Sequence, residues 1–150
     1  TSGIQKLKSK EYGDALKYFE EAADLCEDCI DLNLYYLRAG QSAVILGNSL
    51  KGRTFAQKIL TNDPRNGDAL MLIGDAIATS AKSCDDGKLG KAGAYWLAVD
   101  YYEKAKAADG DVASKAKQKI EGYKKYFPLK TDLFFHGLEV VAPYTVECFG

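Results

Sequence analysis

The chain holds one histidine, one methionine, one tryptophan and three prolines in 150 residues. No Ser/His/Asp or Cys/His arrangement can be built around the single histidine, His136, which stands between Phe135 and Gly137. Surface or tail packing is its expected role. Neither charge sign dominates: 20 Lys and Arg face 21 Asp and Glu, for a formal net charge of −1. Such a balance makes no electrostatic case for nucleic acid or for an acidic membrane surface. No apolar run approaches the roughly 20 residues a membrane-spanning helix needs. A phosphate-binding G-x4-G-K-[ST] loop is missing too. "DDGKLGKAG" has glycines and lysines without that spacing and reads as a flexible insertion. The acidic clusters "EDCID" and "SCDDGK" lack the Asp/Asn periodicity and terminal Glu of a calcium loop, which leaves solvated charge. Neither a metal nor a cofactor is expected. Thr1 enters mid-helix with no secretory signal before it, so the chain reads as a fragment, and a removed leader stays open.

What is present is a soluble composition, 47% hydrophobic and 27% charged, at the length of one ordinary domain able to bury a core. Alanine throughout and scarce proline favour helix. The stretch "AYWLAVDYYEKAKAAD" (94–109) is rich in aromatics and could be a ligand box or scaffold. Self-similarity decides for scaffold. Aligning residues 3–22 with 40–59 puts Gly3 over Gly40 and Ala15 over Gly52, with a looser match of Ala22 to Ile59. Gly74 follows Gly40 by 34 residues. Ala15, Phe19 and Ala22 repeat as Ala98, Tyr102 and Ala105. Small residues at i and i+7 with an aromatic at i+4 form one helical stripe. The small side chains let a paired helix approach, and the aromatic fills the remaining gap. Trp96 and Tyr101 are the aromatics this stripe leaves for the surface, although packing is the expected role of the group. Punctuation agrees: Gly47-Asn48-Ser49 marks a tight turn, Pro64 stops a helix, and Asp111 is the expected N-cap of the next one.

These residues resemble the tetratricopeptide repeat (TPR) family over about residues 3–110. Tyr36, Ala39, Gly40, Ala43, Gly52, Ala56, Ile59 and Pro64 fall at signature positions in the second copy. Leu70, Ile73, Gly74, Ile77, Ala98, Tyr102 and Ala105 do so in the third. The resemblance implies an all-α, TPR-type helical-hairpin solenoid of about three repeats (1–31, 32–65 and 66–110). Ile77 and Ala98 stand 21 apart where the family needs about nine, so an insertion near 81–93 is expected, and the first copy lacks its opening half-helix. "DVASKAKQKIEGYKKYF" (111–127) sets Val112, Ala116, Ile120, Tyr123 and Phe127 on one face and lysines opposite, as a capping helix requires. Residues 128–150 turn β-branched and aromatic, reading as a short extended or β-like tail. A cap ending in "KYFPLKTDLFFHGLEV" resembles the end of secreted bacterial TPR proteins.

Cys26 and Cys29 share one helix face at i, i+3. A zinc site would need two more ligands, and in this architecture Cys84 falls at the other end of the stack, on the order of 20 Å away. A thioredoxin-like dithiol would need a helix N-terminus, which is absent here. Free, partly buried thiols are the expected state, with a disulfide in an oxidising compartment as the alternative. The placement of Cys148, on the tail, stays open. Thiols without a framework suit the cytoplasm, whereas the resemblance of the tail points to the bacterial periplasm, the compartment favoured here.

Stacked two-helix repeats line a concave surface with the first helix of each pair. The resemblance places Leu37, Arg38, Gln41 and Val44 from the second copy there, with Met71, Asp75, Ala78 and Thr79 from the third. Ile4, Arg38, Asp68 and Leu72 occupy the places where some TPR domains clamp a C-terminal carboxylate with lysine and asparagine, so that clamp is not expected. The implied function is a non-enzymatic scaffold whose groove binds a peptide or helix of another protein. The alternative is a structural module that self-associates, as a homo-oligomer, through the tail and its Phe134–Phe135 pair.

Overall fold

The computed structural model describes residues 2–26, 28–81 and 90–126. Six α-helices account for most of them: α1 (Ser2–Asp24), α2 (Leu32–Ile45), α3 (Ser49–Asn62), α4 (Gly67–Ala81), α5 (Gly90–Ala108) and α6 (Ala113–Tyr123). Short 3₁₀ turns at Gly110–Val112 and Lys124–Tyr126 bracket α6, and no strand occurs among the described residues. The chain is all-α. Each helix packs on the next one in sequence, and α2 also reaches α4.

Local chemistry fixes the turns. Gly47 takes a left-handed φ of 87°, and the Asn48 side chain caps α3 by accepting from the Lys51 N–H at 3.1 Å. The connection is so short that α2 and α3 must run antiparallel. The α3 helix stops at Asn62, before Pro64. Asn66 then starts α4, its Oδ1 accepting from the Ala69 N–H at 3.0 Å. The expected cap at Asp111 is not formed. Asp109 instead caps the Gly110–Val112 3₁₀ turn, accepting from the Asp111 N–H at 2.9 Å, and α6 begins at Ala113 without a side-chain cap. Residues 90–93, expected within the insertion, belong to α5, whereas 82–89 lie outside the described residues. The first copy is one unbroken helix, α1, without a turn.

The small residues hold the helices close. A Cβ on Gly52 would lie 3.3 Å from the Gly40 carbonyl oxygen and overlap Val44, so α2 and α3 meet nearly backbone to backbone. Ala39, Ala43 and Ala56 are fully buried around that contact. α4 is the central helix, buried on nearly every side through Leu70, Leu72, Ile73, Ala76 and Ile77. Full burial of each large aliphatic there contributes about 1.5–3 kcal/mol. From α5, Ala94, Tyr95, Ala98, Val99, Tyr102 and Ala105 face the core, while Trp96 and Tyr101 are half-buried. The aromatic stretch is therefore packing. Val112 of the 3₁₀ turn and Ala116 and Ile120 of α6 are buried at the end of the core, Tyr123 is half-buried, and Phe127 lies outside the described residues.

Cys26 and Cys29 depart from expectation. They lie beyond the end of α1, in its connection to α2, and are joined as a disulfide with Cα atoms 5.5 Å apart. Once α1 ends at Asp24, the chain turns back on itself through Asp28 at a φ of 54°, and i, i+3 spacing brings the two side chains together. Cys84, Cys148, His136 and the 128–150 tail lie outside the described residues.

Candidate binding groove

A hollow of about 200 Å³ opens where α2, α4 and α6 come together. α4 lays Asp68, Met71, Leu72 and Asp75 along it at i, i+3, i+4 and i+7, one helical stripe. α2 adds Gln41, and α6 adds Lys115, Gln118 and Lys119. Its floor is apolar, Met71 and Leu72 being buried. Acidic groups stand on α4 and basic groups on α6.

Asp75 is the best-anchored polar group of this wall. The Tyr102 hydroxyl, arriving from α5, donates to its Oδ1 at 2.6 Å, and the Lys119 ammonium stands 3.6 Å from the same oxygen. Tyr102 has 0% exposure, and its ring reaches Asp75 only because residue 74 is glycine. A Cβ there would sit 2.5 Å from the ring carbon Cε1. The ring also lies parallel to Tyr123 of α6, at 7° and 6.1 Å between centroids, and Tyr123 stacks in turn on Tyr95 at 5.1 Å. One buried tyrosine thus positions both a groove carboxylate and the helix that supplies the lysines. Burial, reinforced by the Asp75 carboxylate and the hydrogen bond to it, pushes the Tyr102 phenol well above its ordinary pKa of 10. It stays a neutral donor.

Of the residues expected here, Gln41, Met71 and Asp75 line the hollow together. Arg38 is exposed beside it and donates to Gln41 Oε1 at 3.0 Å, while Thr79 is exposed on α4. Leu37 packs half-buried against the core. Val44 and Ala78 are core residues, and Val44 fills the space over Gly52. Phe134 and Phe135 lie outside the described residues. Lys115, Gln118 and Lys119 line the hollow although the sequence reading assigns their segment only to a cap. Their signal was the lysine-rich face opposite Ala116 and Ile120. Asp68 and Leu72 also line the hollow, at positions the sequence reading places at the carboxylate clamp that is not expected.

Among the described residues no group of His, Cys, Asp and Glu could hold a metal ion, and no helix is long and apolar enough to cross a membrane. No family model, curated protein or solved structure matches the chain.

Proposed function

We propose that the chain is a TPR-type scaffold of about three repeats that binds a peptide or helix of a partner protein in the α2–α4–α6 hollow, without catalysing a reaction. The carrying observation is the hollow itself: a buried apolar floor flanked by Asp68 and Asp75 on one side and by Lys115 and Lys119 on the other. Such a surface offers a non-polar anchor site plus charges that set direction and register. The repeat reading is supported by Gly40 and Gly74, each with a large side chain where its Cβ would be: Leu72 at 2.5 Å and Tyr102 at 2.5 Å. The paired Cys26 and Cys29 agree with an oxidising compartment such as the periplasm.

The test is affinity capture from lysate and from a displayed linear-peptide library, using three versions of the chain. These are the wild type, a groove variant (Gln41→Ala, Lys115→Glu, Lys119→Glu), and a chain ending at Pro128. A ligand lost with the groove variant and kept by the truncated chain is the expected result. Binding or self-association lost only on truncation would overturn the proposal and assign the function to residues 129–150.

A further inference from the structure

A second hollow, of about 440 Å³, lies away from the groove, between α1 and α3 over part of α2. Its volume is in the usual range for small-ligand sites, roughly 300–1,000 Å³. Its floor is apolar and aromatic: Ala23, Phe55 and Tyr36, the two rings 5.9 Å apart. Glu20 and Asp24 make the α1 wall at i, i+4, and Lys51, Thr54 and Lys58 follow the same face of α3. Glu20 and Lys51 pair across one end. Towards the other end Asp24 stands on α1 and Lys58 on α3, whose ammonium lies 5.4 Å from the centroids of both floor rings.

The walls therefore carry opposite charges over one hydrophobic floor. Asp24 also closes α1, whose last turn holds no basic residue, so the negative end of that helix dipole adds to its carboxylate. The position favours a ligand cation. Lys58 is exposed, with its ammonium over the two ring faces, and favours a ligand anion. α1 and α3 run parallel, each antiparallel to α2. Asp24 lies one turn past Glu20, about 6 Å, while Lys58 lies two turns past Lys51, about 10 Å. A ligand that meets both charges must therefore cross the hollow over the Tyr36 and Phe55 rings, from the α1 wall to the α3 wall. Two extended residues span about 7 Å.

We propose that this hollow binds a short peptide of two or three residues, free at both ends and apolar between them. Its ammonium meets Asp24, its side chains lie on Phe55 and Tyr36, and its carboxylate meets Lys58. The site is separate from the α2–α4–α6 groove and does not depend on it.

The experiment is amide NMR on the intact chain with three probes: Phe-Leu, N-acetyl-Phe-Leu and Phe-Leu amide. Phe-Leu should shift the amides of Ala23, Lys51 and Thr54 and bind at least fivefold more tightly than either blocked form. Asp24→Asn should weaken Phe-Leu while leaving N-acetyl-Phe-Leu unchanged. Lys58→Gln should weaken Phe-Leu while leaving the amide form unchanged. Equal affinity for all three probes, or no shift at Ala23 and Thr54 at millimolar peptide, would overturn the proposal. So would shifts confined to Gln41, Met71 and Gln118, which would assign the dipeptide to the groove.

Discussion

Gly74→Ala tests the packing that builds the groove, because helix propensity and tertiary structure pull in opposite directions. In an unpacked helix interior the change stabilises by about 1 kcal/mol, since alanine loses less backbone freedom than glycine. At residue 74 the new methyl would lie 2.5–2.9 Å from three ring carbons of Tyr102. That ring is fully buried, tied to Asp75 at one end and stacked on Tyr123, so it has no free direction of retreat. Overpacking of this kind costs about 1–3 kcal/mol. Displacing the hydroxyl from Asp75 adds about 1.5–3 kcal/mol for a bond to a charged acceptor. The net expectation is a loss of about 1.5–5 kcal/mol. The matched control is Gly122→Ala in α6, where a Cβ would meet nothing within 4 Å. It should gain up to about 1 kcal/mol. Urea titration followed by helical circular dichroism measures both midpoints under one condition. If Gly74→Ala proved as stable as Gly122→Ala, the argument that glycine is needed to admit Tyr102 would be refuted.

Other expectations follow from the same contacts. Tyr102→Phe should lower stability by about 1.5–3 kcal/mol at neutral pH through the lost bond to Asp75, as read by urea titration. The folded-state pKa of Tyr102 is raised above its unfolded value of 10, so its contribution is complete below pH 10 and falls as pH rises beyond it. Urea midpoints between pH 8 and 11 should therefore drop more steeply for the wild type than for Tyr102→Phe, and parallel curves would contradict the raised pKa. Cys26 and Cys29 should resist alkylation until a reductant is added, as read by peptide mass spectrometry. Converting both to serine should cost no more than about 2 kcal/mol, given the short loop they close. Gly40→Ala should be milder than Gly74→Ala, because its nearest neighbour is the far end of the flexible Leu72 side chain and not a pinned ring; thermal melts of the pair would show the order.

Residues close together in sequence were the legible part. Small residues at repeat spacing foretold the tight α2–α3 and α4–α5 packing, and Gly47, Asn48 and Pro64 marked the ends of helices that formed there. Val112, Ala116 and Ile120 foretold the buried face of α6. The start of α6 was less legible, because Asp109 caps a 3₁₀ turn ahead of it and Asp111 falls inside that turn. The groove was partly legible. Gln41, Met71 and Asp75 follow from helical register, whereas Val44 and Ala78 share that register yet face neighbouring helices.

The sequence alone determined the helical character of the described residues, most of their turns, and the positions where side chains had to be small. These depend on a 3.6-residue period and on backbone preferences that act within a turn or two. Only the tertiary structure decided that Tyr102 reaches Asp75 across 27 positions, that α6 turns Lys115 and Lys119 towards α4, and that Glu20 and Asp24 face the lysines of α3. Those pairings depend on the angle and distance at which helices cross, which the summed packing of the whole core sets and no local spacing encodes.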